Sequence, residues 1–409
     1  MRFAGDSFRW CFLELFLGAM VSCGTVETDR PSDIGSLIPG EGPGGAAEIV
    51  RDLYVTGVEY PEGYDWHSDP DYDHVACTLF LMKGDERILE LPVGERNMIS
   101  ADPDMHRCFG GHLYTDFSTD TETIVMKDGT ELFRYPDREM ICGFQVIGDN
   151  IYTLGAPRDG DGWTLRENGI VTMVKTAGYL MTDLRLDGDD LWFAYADPIG
   201  YGNGETRKRC YLVVNGNASP VGTAEDIETV DDILLYGGKI YFTAKLDGMP
   251  EHVVYCGDEM HALELGSGTE TKDCRIYYDG GNDIYVGGLK YIEVSGYLKT
   301  MWKNFGSRFN YSSRSEVAYY LDRDIMNYVL LYDDGRTRET KIYRDCINVD
   351  IGEAEKMYMF LGASAACAGD GHFHVALHPV DAETEPALFS DNEIKRYGFN
   401  GYFTSVSLW

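Results

Sequence analysis

The 409-residue chain is poor in basic residues, with 35 lysines and arginines against 68 aspartates and glutamates and a formal net charge of −33. A surface of this sign repels the phosphate backbone of nucleic acids and the anionic headgroups of lipids. We therefore expect no nucleic-acid partner and no docking of the folded domain on a membrane. The acidity is typical of a solvated surface that keeps a protein soluble and monomeric.

Several catalytic and metal-binding motifs are also missing. The chain has no G-x-S-x-G nucleophile turn, no H-E-x-x-H motif and no phosphate-binding P-loop. Its ten cysteines include no C-x-x-C pair and no Cys/His spacing that would hold zinc. We expect no metal and no cofactor, and we interpret the eight cysteines after residue 23 as small thiols buried in strands.

Long apolar runs are scarce, and none after the amino terminus approaches the length of a membrane-spanning helix. Residues 1–23 have the pattern of a secretory signal peptide, with basic residues before a short apolar run and small residues before Cys23. The ending MVSC resembles a bacterial lipobox, which implies lipid attachment at Cys23; an ordinary cleaved signal is the alternative. Residues 24–45 are rich in Gly, Pro, Ser and acids and predict a flexible tether before a folded domain at 46–409.

An aromatic residue in a short apolar strand, placed just after a glycine turn, recurs along the chain. Examples are FGGHLYTDF at 109–117, IGDNIYTLG at 147–155 and YGGKIYFTAK at 236–245. The copies place this residue at Tyr54, Tyr114, Tyr152, Trp192, Tyr241 and Tyr285, with weaker copies at Tyr328 and His374. Their mean interval of about 46 residues indicates a repeat architecture.

Each copy has the pattern of four short strands joined by tight turns. Gly-Gly, Asp-Gly and Asn-Gly pairs suit two-residue hairpins, because Gly and Asn adopt positive φ at little cost. Four antiparallel strands repeated radially describe an all-β fold, the β-propeller. The recurring aromatic is then expected to pack between neighbouring blades and not to contact a substrate.

The best copies resemble the D-x-Y-V-A-G … Y-W-K-N-G repeat of extracytoplasmic propeller lipoproteins from Bacteroides-type bacteria and, more loosely, Kelch blades. DLYVTG at 52–57, DIYVGG at 283–288 and MWKN at 301–304 match it best. The resemblance covers roughly residues 46–409 and fades at 313–345. It implies a β-propeller located in the cell envelope.

Eight copies predict eight blades, with seven as the alternative if one weak copy is irregular. The final residues, GYFTSVSLW at 401–409, resemble a ninth first strand. We expect this strand to pair beside DLYVTG and close the ring, which removes an open sheet edge.

In such a blade, the connections from second to third strand all lie on one face, and the long insertions at 58–75, 196–209, 246–252 and 289–298 fall there. Loops on a rigid scaffold often carry function, so this face is a candidate binding surface for a glycan or a protein. Its candidate ligand-binding residues are Tyr60, Tyr64, Trp66, His67, Tyr72, Tyr201, Tyr291 and Tyr297. The alternative is that the rings of 58–75 fold back as a plug under a long loop.

The first of these insertions also contains three aspartates at alternate positions. Asp69, Asp71 and Asp73 imitate the start of a calcium loop. However, His74 stands where glycine is expected, and Phe80 stands where a bidentate acid is expected. Calcium is therefore only an alternative to the absence of a cofactor.

Charged residues on the first strands form a second candidate site, because first strands line the central channel of a propeller. They are Asp102, His106, Asp183, Arg185, Asp231 and Arg275. Converging charges can form a ligand pocket or an active site, whereas a water-filled channel is the simpler interpretation. No catalytic residue is assigned.

The sequence favours a binding or scaffold module: a lipid-anchored propeller of the outer membrane, periplasmic or surface-exposed, that presents its loop-rich face to a glycan or protein. The tether, the one-sided insertions and the missing catalytic motifs support this interpretation. One alternative is a hydrolase or lyase acting on polysaccharide at the central channel, because a propeller can collect catalytic residues from different blades. A structural subunit is the third hypothesis, and it predicts an exposed apolar patch.

Overall fold

The structure is a computed structural model of the chain and describes much of residues 51–408. The gaps are 70–74, 95–105, 119–121, 137–138, 158–160, 203–204, 225, 250–251, 264–270, 279–283, 293–295, 304–306, 313–315, 323–324, 334–337, 345–346, 361–365 and 370. The predicted signal, tether and Cys23 lie outside the described residues.

The described residues form antiparallel sheets of four or five strands, eight in number, with one short helix, α1 (Ala354–Met357). Sheets 1 to 4 contain β1 (Leu53–Glu59), β2 (Cys77–Lys83) and β3 (Glu86–Val93); β4 (His106–Phe109), β5 (His112–Ser118), β6 (Thr123–Lys127) and β7 (Thr130–Tyr135); β8 (Glu139–Ile147), β9 (Asn150–Pro157), β10 (Trp163–Glu167) and β11 (Ile170–Lys175); β12 (Tyr179–Leu180), β13 (Arg185–Asp187), β14 (Asp190–Gly202), β15 (Glu205–Val214) and β16 (Asn217–Val221). Sheets 5 to 8 contain β17 (Ile227–Tyr236), β18 (Lys239–Leu246), β19 (His252–Cys256) and β20 (Glu259–Ala262); β21 (Thr271–Tyr278), β22 (Ile284–Ile292), β23 (Gly296–Lys303) and β24 (Ser307–Ser312); β25 (Glu316–Asp322), β26 (Ile325–Asp333), β27 (Arg338–Arg344) and β28 (Ile347–Val349); β29 (Tyr358–Met359), β30 (Ala366–Gly369), β31 (His372–Pro379), β32 (Ala387–Ser390) and β33 (Glu393–Arg396). The last strand, β34 (Gly401–Leu408), belongs to sheet 1.

Successive sheets stack face to face through apolar side chains. Between sheets 4 and 5, for example, Trp192 and Leu212 share one buried cluster with Ile233 and Phe242. A twisted four-stranded sheet is apolar on both faces and needs a neighbour on each side, which radial stacking provides. The fold is therefore a β-propeller, as the repeat predicts. Among the described residues, no helix is long and apolar enough to cross a membrane.

The first and last strands of the fold are neighbours in one sheet. Strand β34 pairs antiparallel with β1, from Leu53 opposite Leu408 to Glu59 opposite Gly401. The buried hydroxyl of Thr56 lies 2.7 Å from that of Thr404. The predicted closure of sheet 1 by the final strand is confirmed.

Four of the hairpins between third and fourth strands, in sheets 2, 3, 4 and 8, repeat one turn. An Asp or Asn adopts positive φ there, and its side chain accepts a hydrogen bond from the backbone N–H near the start of the second strand. The pairs are Asp128 with Leu113, Asn168 with Ile151, Asn215 with Leu191, and Asp391 with Phe373, at 2.9, 2.9, 2.9 and 3.1 Å. Each turn therefore fixes three strands of its sheet at once, which explains why Asp-Gly and Asn-Gly pairs recur in the sequence.

Six members of the recurring aromatic series are buried, as predicted for packing residues: Tyr54, Tyr114, Trp192, Tyr241, Tyr328 and His374. Tyr152 is half-buried and donates a hydrogen bond to Glu167, and the side chain of Tyr285 lies outside the described part of the chain. The described cysteines all lie in strands, as predicted; Cys77, Cys108, Cys210 and Cys274 are buried, whereas Cys142, Cys256 and Cys367 are half-buried. Burial raises the pKa of the Cys77, Cys108 and Cys210 thiols to about 12, so these three are poor nucleophiles at neutral pH.

Candidate functional site

The insertion after β1 contributes its aromatic rings to the core. Tyr60 and Trp66 are only 3% and 5% exposed and pack with Tyr402 of the closing strand. The half-buried Tyr64 donates a hydrogen bond from its hydroxyl to Asp69 Oδ2 at 2.7 Å. These contacts correct the expected exposed stacking face, because burial in the loop's own core takes the two largest rings away from solvent. The described part of this insertion up to residue 69 is a plug, the alternative considered above.

This plug also covers the seam between sheets 8 and 1. The His67 ring lies against Trp66, with the ring centroids 3.5 Å apart and the planes tilted by 31°, and its Nε2 lies 3.2 Å from the carbonyl oxygen of Pro379. His378 lies next to Pro379 on β31, and its ring packs against Trp66 in a T-shaped arrangement with the ring centroids 5.0 Å apart. Burial lowers the pKa of His378 to about 3, so this imidazole is neutral in the folded protein at ordinary pH.

Two other insertions form strands where the sequence suggested loops. Residues 196–209 continue β14 and β15 as one ribbon, with Tyr201 opposite Thr206. Residues 289–298 continue β22 and β23, with Tyr291 opposite Tyr297. The side chains of these three candidate tyrosines lie outside the described part of the chain, as does Tyr72. The positions of the two insertions were predicted correctly, but their assignment as loops was wrong. Strand residues on both sides of a central turn form a hairpin.

Four of the six predicted channel residues lie on the first strands of sheets 4, 5 and 6, or next to them. Asp183 forms an ion pair with Arg185, beside β13. Arg275 of β21 acts electrostatically on Asp231 of β17, and both arginines act on the adjacent Asp232. The structure thus joins these groups into one electrostatic cluster. Asp102 lies outside the described residues, and the same holds for the side chain of His106.

Each carboxylate of this cluster has a defined partner. Asp231 Oδ2 lies 2.7 Å from His252 Nε2. Burial would raise the pKa of Asp231, but the hydrogen bond from His252 and the charge of Arg275 hold it below its ordinary value. Asp232 is buried and accepts backbone hydrogen bonds from Ile233 and Ile276, both at 2.9 Å. Burial raises the Asp232 pKa against the opposing effect of the arginines.

Two residues of the same region were not predicted from the sequence. His252 begins β19, and Cys274 precedes Arg275 on β21. The side-chain donor atoms of Asp231, His252 and Cys274 all lie within 4.8 Å of one another. No short motif links them, because they come from three strands of two sheets.

A second buried polar cluster joins sheets 2 and 3. Arg166 forms two hydrogen bonds with Glu139, and the Nη2–Oε1 bond is 2.8 Å long. Its guanidinium lies 4.1 Å from the ring centroid of Tyr135. Nearby, Arg107 donates to Asp116 at 2.6 Å and to the carbonyl of Ile141 at 3.2 Å. In these pairs each buried carboxylate faces an arginine, which is the arrangement expected of structural charges.

No protein-family model and no curated protein matches the chain. Among solved structures it is similar to the β-propeller domain of the Trilobed protease from Pyrococcus furiosus, at 13% identity and a TM-score of 0.39, over 67% of this chain and 86% of that one. It is also similar to polysaccharide lyase Uly1, at 9% identity and a TM-score of 0.42, over 79% and 92% of the two chains. The chain is also similar to the Pyrococcus horikoshii acylaminoacyl peptidase, at 12% identity and a TM-score of 0.39. The match covers 67% of this chain and about half (48%) of the peptidase. The strand pairing defines the propeller fold, and the comparisons assign no function.

Proposed function

We propose that the chain is a binding or scaffold module of the bacterial cell envelope whose partner is a protein, with lipid on Cys23 as its membrane anchor. The observation that carries this proposal is the outer edge of sheet 3. There β11 is the terminal strand of the sheet, and Ile170, Val171 and Val174 are 71%, 50% and 65% exposed. Exposed apolar side chains on an edge strand mark a docking surface for another chain.

The other outer strands of the described sheets are protected against such pairing. Charged residues occur in β3, β7, β20, β24 and β33, Pro220 interrupts β16, and β28 has only three residues. In β11 the first charge is its last residue, Lys175, which forms an ion pair with Asp197 at 2.5 Å. Charges, prolines and short length are the usual ways to keep an edge strand from pairing. Residues 170–174 of β11 contain no charge and no proline, which distinguishes this edge from the rest.

The geometry supports recognition by strand addition. A strand of the partner would extend sheet 3 through backbone hydrogen bonds, and its apolar side chains would cover Ile170, Val171 and Val174. The net charge of −33 would favour a partner with basic residues.

The alternative, a polysaccharide hydrolase or lyase at the central channel, has less support. Two carboxyl groups at a working separation are needed for glycoside hydrolysis, one of them protonated and able to reach substrate. In the described first strands, Asp183 is held by Arg185, Asp231 by His252, and Asp232 by two backbone amides. These partners argue against any of the three carboxylates acting as a protonated general acid.

The test is site-specific photocrosslinking in intact cells that express the full chain. A photoreactive residue replaces Val174 in one variant and Ile347, which is 70% exposed on β28, in the matched control. We expect a defined protein adduct from position 174 alone, and loss of that adduct when Val171→Lys is added. Val171 is half exposed, so the substitution leaves the core intact.

Two outcomes would contradict the proposal. Identical adducts from positions 174 and 347 would show that the β11 edge has no special partner. Binding of the full chain to an immobilised glycan, undisturbed by Val171→Lys and Val174→Lys, would shift the function to glycan recognition on another surface.

A further inference from the structure

We propose that Asp231, His252 and Cys274 bind one divalent metal ion of the zinc class between sheets 5 and 6, independently of the protein-binding edge. Asp231 Oδ2 and His252 Nε2 are 2.7 Å apart, and Cys274 Sγ completes a group whose donor atoms lie within 4.8 Å of one another. With bond lengths of about 2.0–2.3 Å, the donors of a tetrahedral zinc site lie roughly 3–4 Å apart. Shifts of about an ångström would bring the three groups to that spacing.

The donor set selects the metal. Imidazole, thiolate and carboxylate are the three side-chain ligands that zinc uses, whereas calcium and magnesium require oxygen ligands. A thiolate and a carboxylate also cancel the charge of a divalent cation, so the occupied site is neutral. Neutrality matters here because His252 and Cys274 are buried and an uncompensated charge among them would be costly.

The backbone aims two of the ligands by the same device. Strand β17 has a register shift between Val230 and Asp232, which places Asp231 in a bulge. Strand β21 has a shift between Lys272 and Arg275, which contains Cys274. A bulge re-aims the side chain it carries and is common beside functional sites. The Cys274 carbonyl is fixed in turn by a 2.9 Å hydrogen bond from Thr243 Oγ1 of β18.

The three ligands differ in their access to solvent. The side chain of Asp231 is 22% exposed, that of His252 is 4% exposed, and Cys274 is fully buried. The site is therefore open on the Asp231 side, where water or a ligand would take the fourth position. Three protein ligands and one open position are typical of zinc sites that act on a bound molecule. On binding, the Cys274 thiol loses its proton to solvent, and the proton that His252 Nε2 donates to Asp231 is exchanged through solvent to Nδ1, so that the metal replaces a proton on both the sulfur and Nε2.

The experiment uses the purified full chain, stripped of metal with a chelator. Zn²⁺ is titrated against a competing chromophoric chelator at about 1 M salt, where the Debye length is about 3 Å and the acidic surface attracts little cation. Co²⁺ then serves as a spectroscopic probe, because a cobalt–thiolate bond gives a charge-transfer band in the near ultraviolet. We expect one equivalent of tightly bound Zn²⁺ and this band.

Variants connect the binding to the three residues. Cys274→Ser should remove the band and weaken Zn²⁺ binding by more than about 100-fold, because loss of an outer-sphere contact alone costs 10–100-fold. Cys108→Ser, at another buried free cysteine on a first strand, is the matched control and should change neither. Asp231→Asn keeps the shape of a partly exposed side chain, so it tests the site even if Cys274→Ser fails to fold. We expect it to weaken Zn²⁺ binding at least about tenfold.

Clear results would overturn the proposal. The proposal is wrong if the chain binds less than one equivalent of Zn²⁺ at high salt, or if its cobalt complex lacks the thiolate band. Equal affinities in Asp231→Asn and the unaltered chain would also exclude this site.

Discussion

Two junctions between neighbouring sheets contain buried charge, and the side chains that surround the charge differ between them. Between sheets 2 and 3, Glu139 and Arg166 are each 5% exposed and satisfy one another through two hydrogen bonds. Between sheets 5 and 6, Asp231 faces His252 and a cysteine, and Arg275 acts electrostatically on both Asp231 and Asp232. The first junction pairs a carboxylate with a guanidinium, whereas the second brings together a carboxylate, an imidazole and a thiol, which are donor groups for a metal ion. Buried charge therefore points to a metal site only where imidazole and thiol groups lie beside the carboxylate, and not where the carboxylate faces an arginine.

The largest effect that separates the two junctions is expected at sheets 2 and 3. Glu139→Gln leaves the Arg166 charge buried without its counter-ion and should lower the free energy of unfolding by about 3–5 kcal/mol. Equilibrium urea denaturation measures it. The matched control is Glu131→Gln, which breaks an exposed 2.6 Å ion pair with Arg134 and should cause no measurable change. Equal effects of the two substitutions would mean that the buried pair is not a structural charge.

The junction between sheets 8 and 1 is a third case, because its buried polar group, the His378 imidazole, is neutral. Burial lowers the pKa of His378 in the folded protein to about 3 from its ordinary 6.5. Between these two pH values the unfolded chain binds a proton at His378 and the folded chain does not. Stability is therefore complete above about pH 6.5 and falls by up to about 1.4 kcal/mol per unit as the pH drops toward 3. His378→Gln should remove this part of the slope. Denaturation midpoints between pH 7 and pH 4 measure it, and parallel profiles for both proteins would show that His378 is not responsible.

A smaller effect is expected for the metal-free protein at sheets 5 and 6. The Asp231 pKa is lowered below 3.8, so its contribution is present above about pH 4 and is lost as the pH falls through the folded value. Asp231→Asn should cost about 1 kcal/mol or less at pH 7, because the amide oxygen still accepts from His252. It should also flatten the loss of stability below pH 4. A cost as large as that of Glu139→Gln would erase the difference between the two junctions.

The architecture was largely predictable, because it depends on local signals that repeat. The turn residues Asp128, Asn168 and Asn215 and the buried aromatics carry the period, and GYFTSVSLW showed how sheet 1 closes. The insertion at 196–209 was located correctly but assigned to a loop, since length alone does not distinguish a loop from an extended hairpin.

The candidate site was predictable only in part. Asp183, Arg185, Asp231 and Arg275 were identified by their first-strand positions. Cys274 was not, because the bulge that contains it leaves no pattern in the sequence. His252 was not, because it begins the third strand of its sheet, whereas the prediction considered only first strands. Trp66 was misplaced as an exposed ring for a related reason: the loop that carries it closes over a cluster formed with Tyr402, a residue distant in sequence. Contacts of that range depend on the completed ring.

The pairing of β34 with β1 sets the order of events during synthesis. Thr56 meets Thr404 across 348 residues of chain, so sheet 1 stays incomplete on the ribosome until its final strand has emerged. Until then β1 keeps an open edge that other nascent chains could pair with. Contacts of such separation fold slowly, and the protein would depend on holding chaperones for longer than a fold built from neighbouring segments.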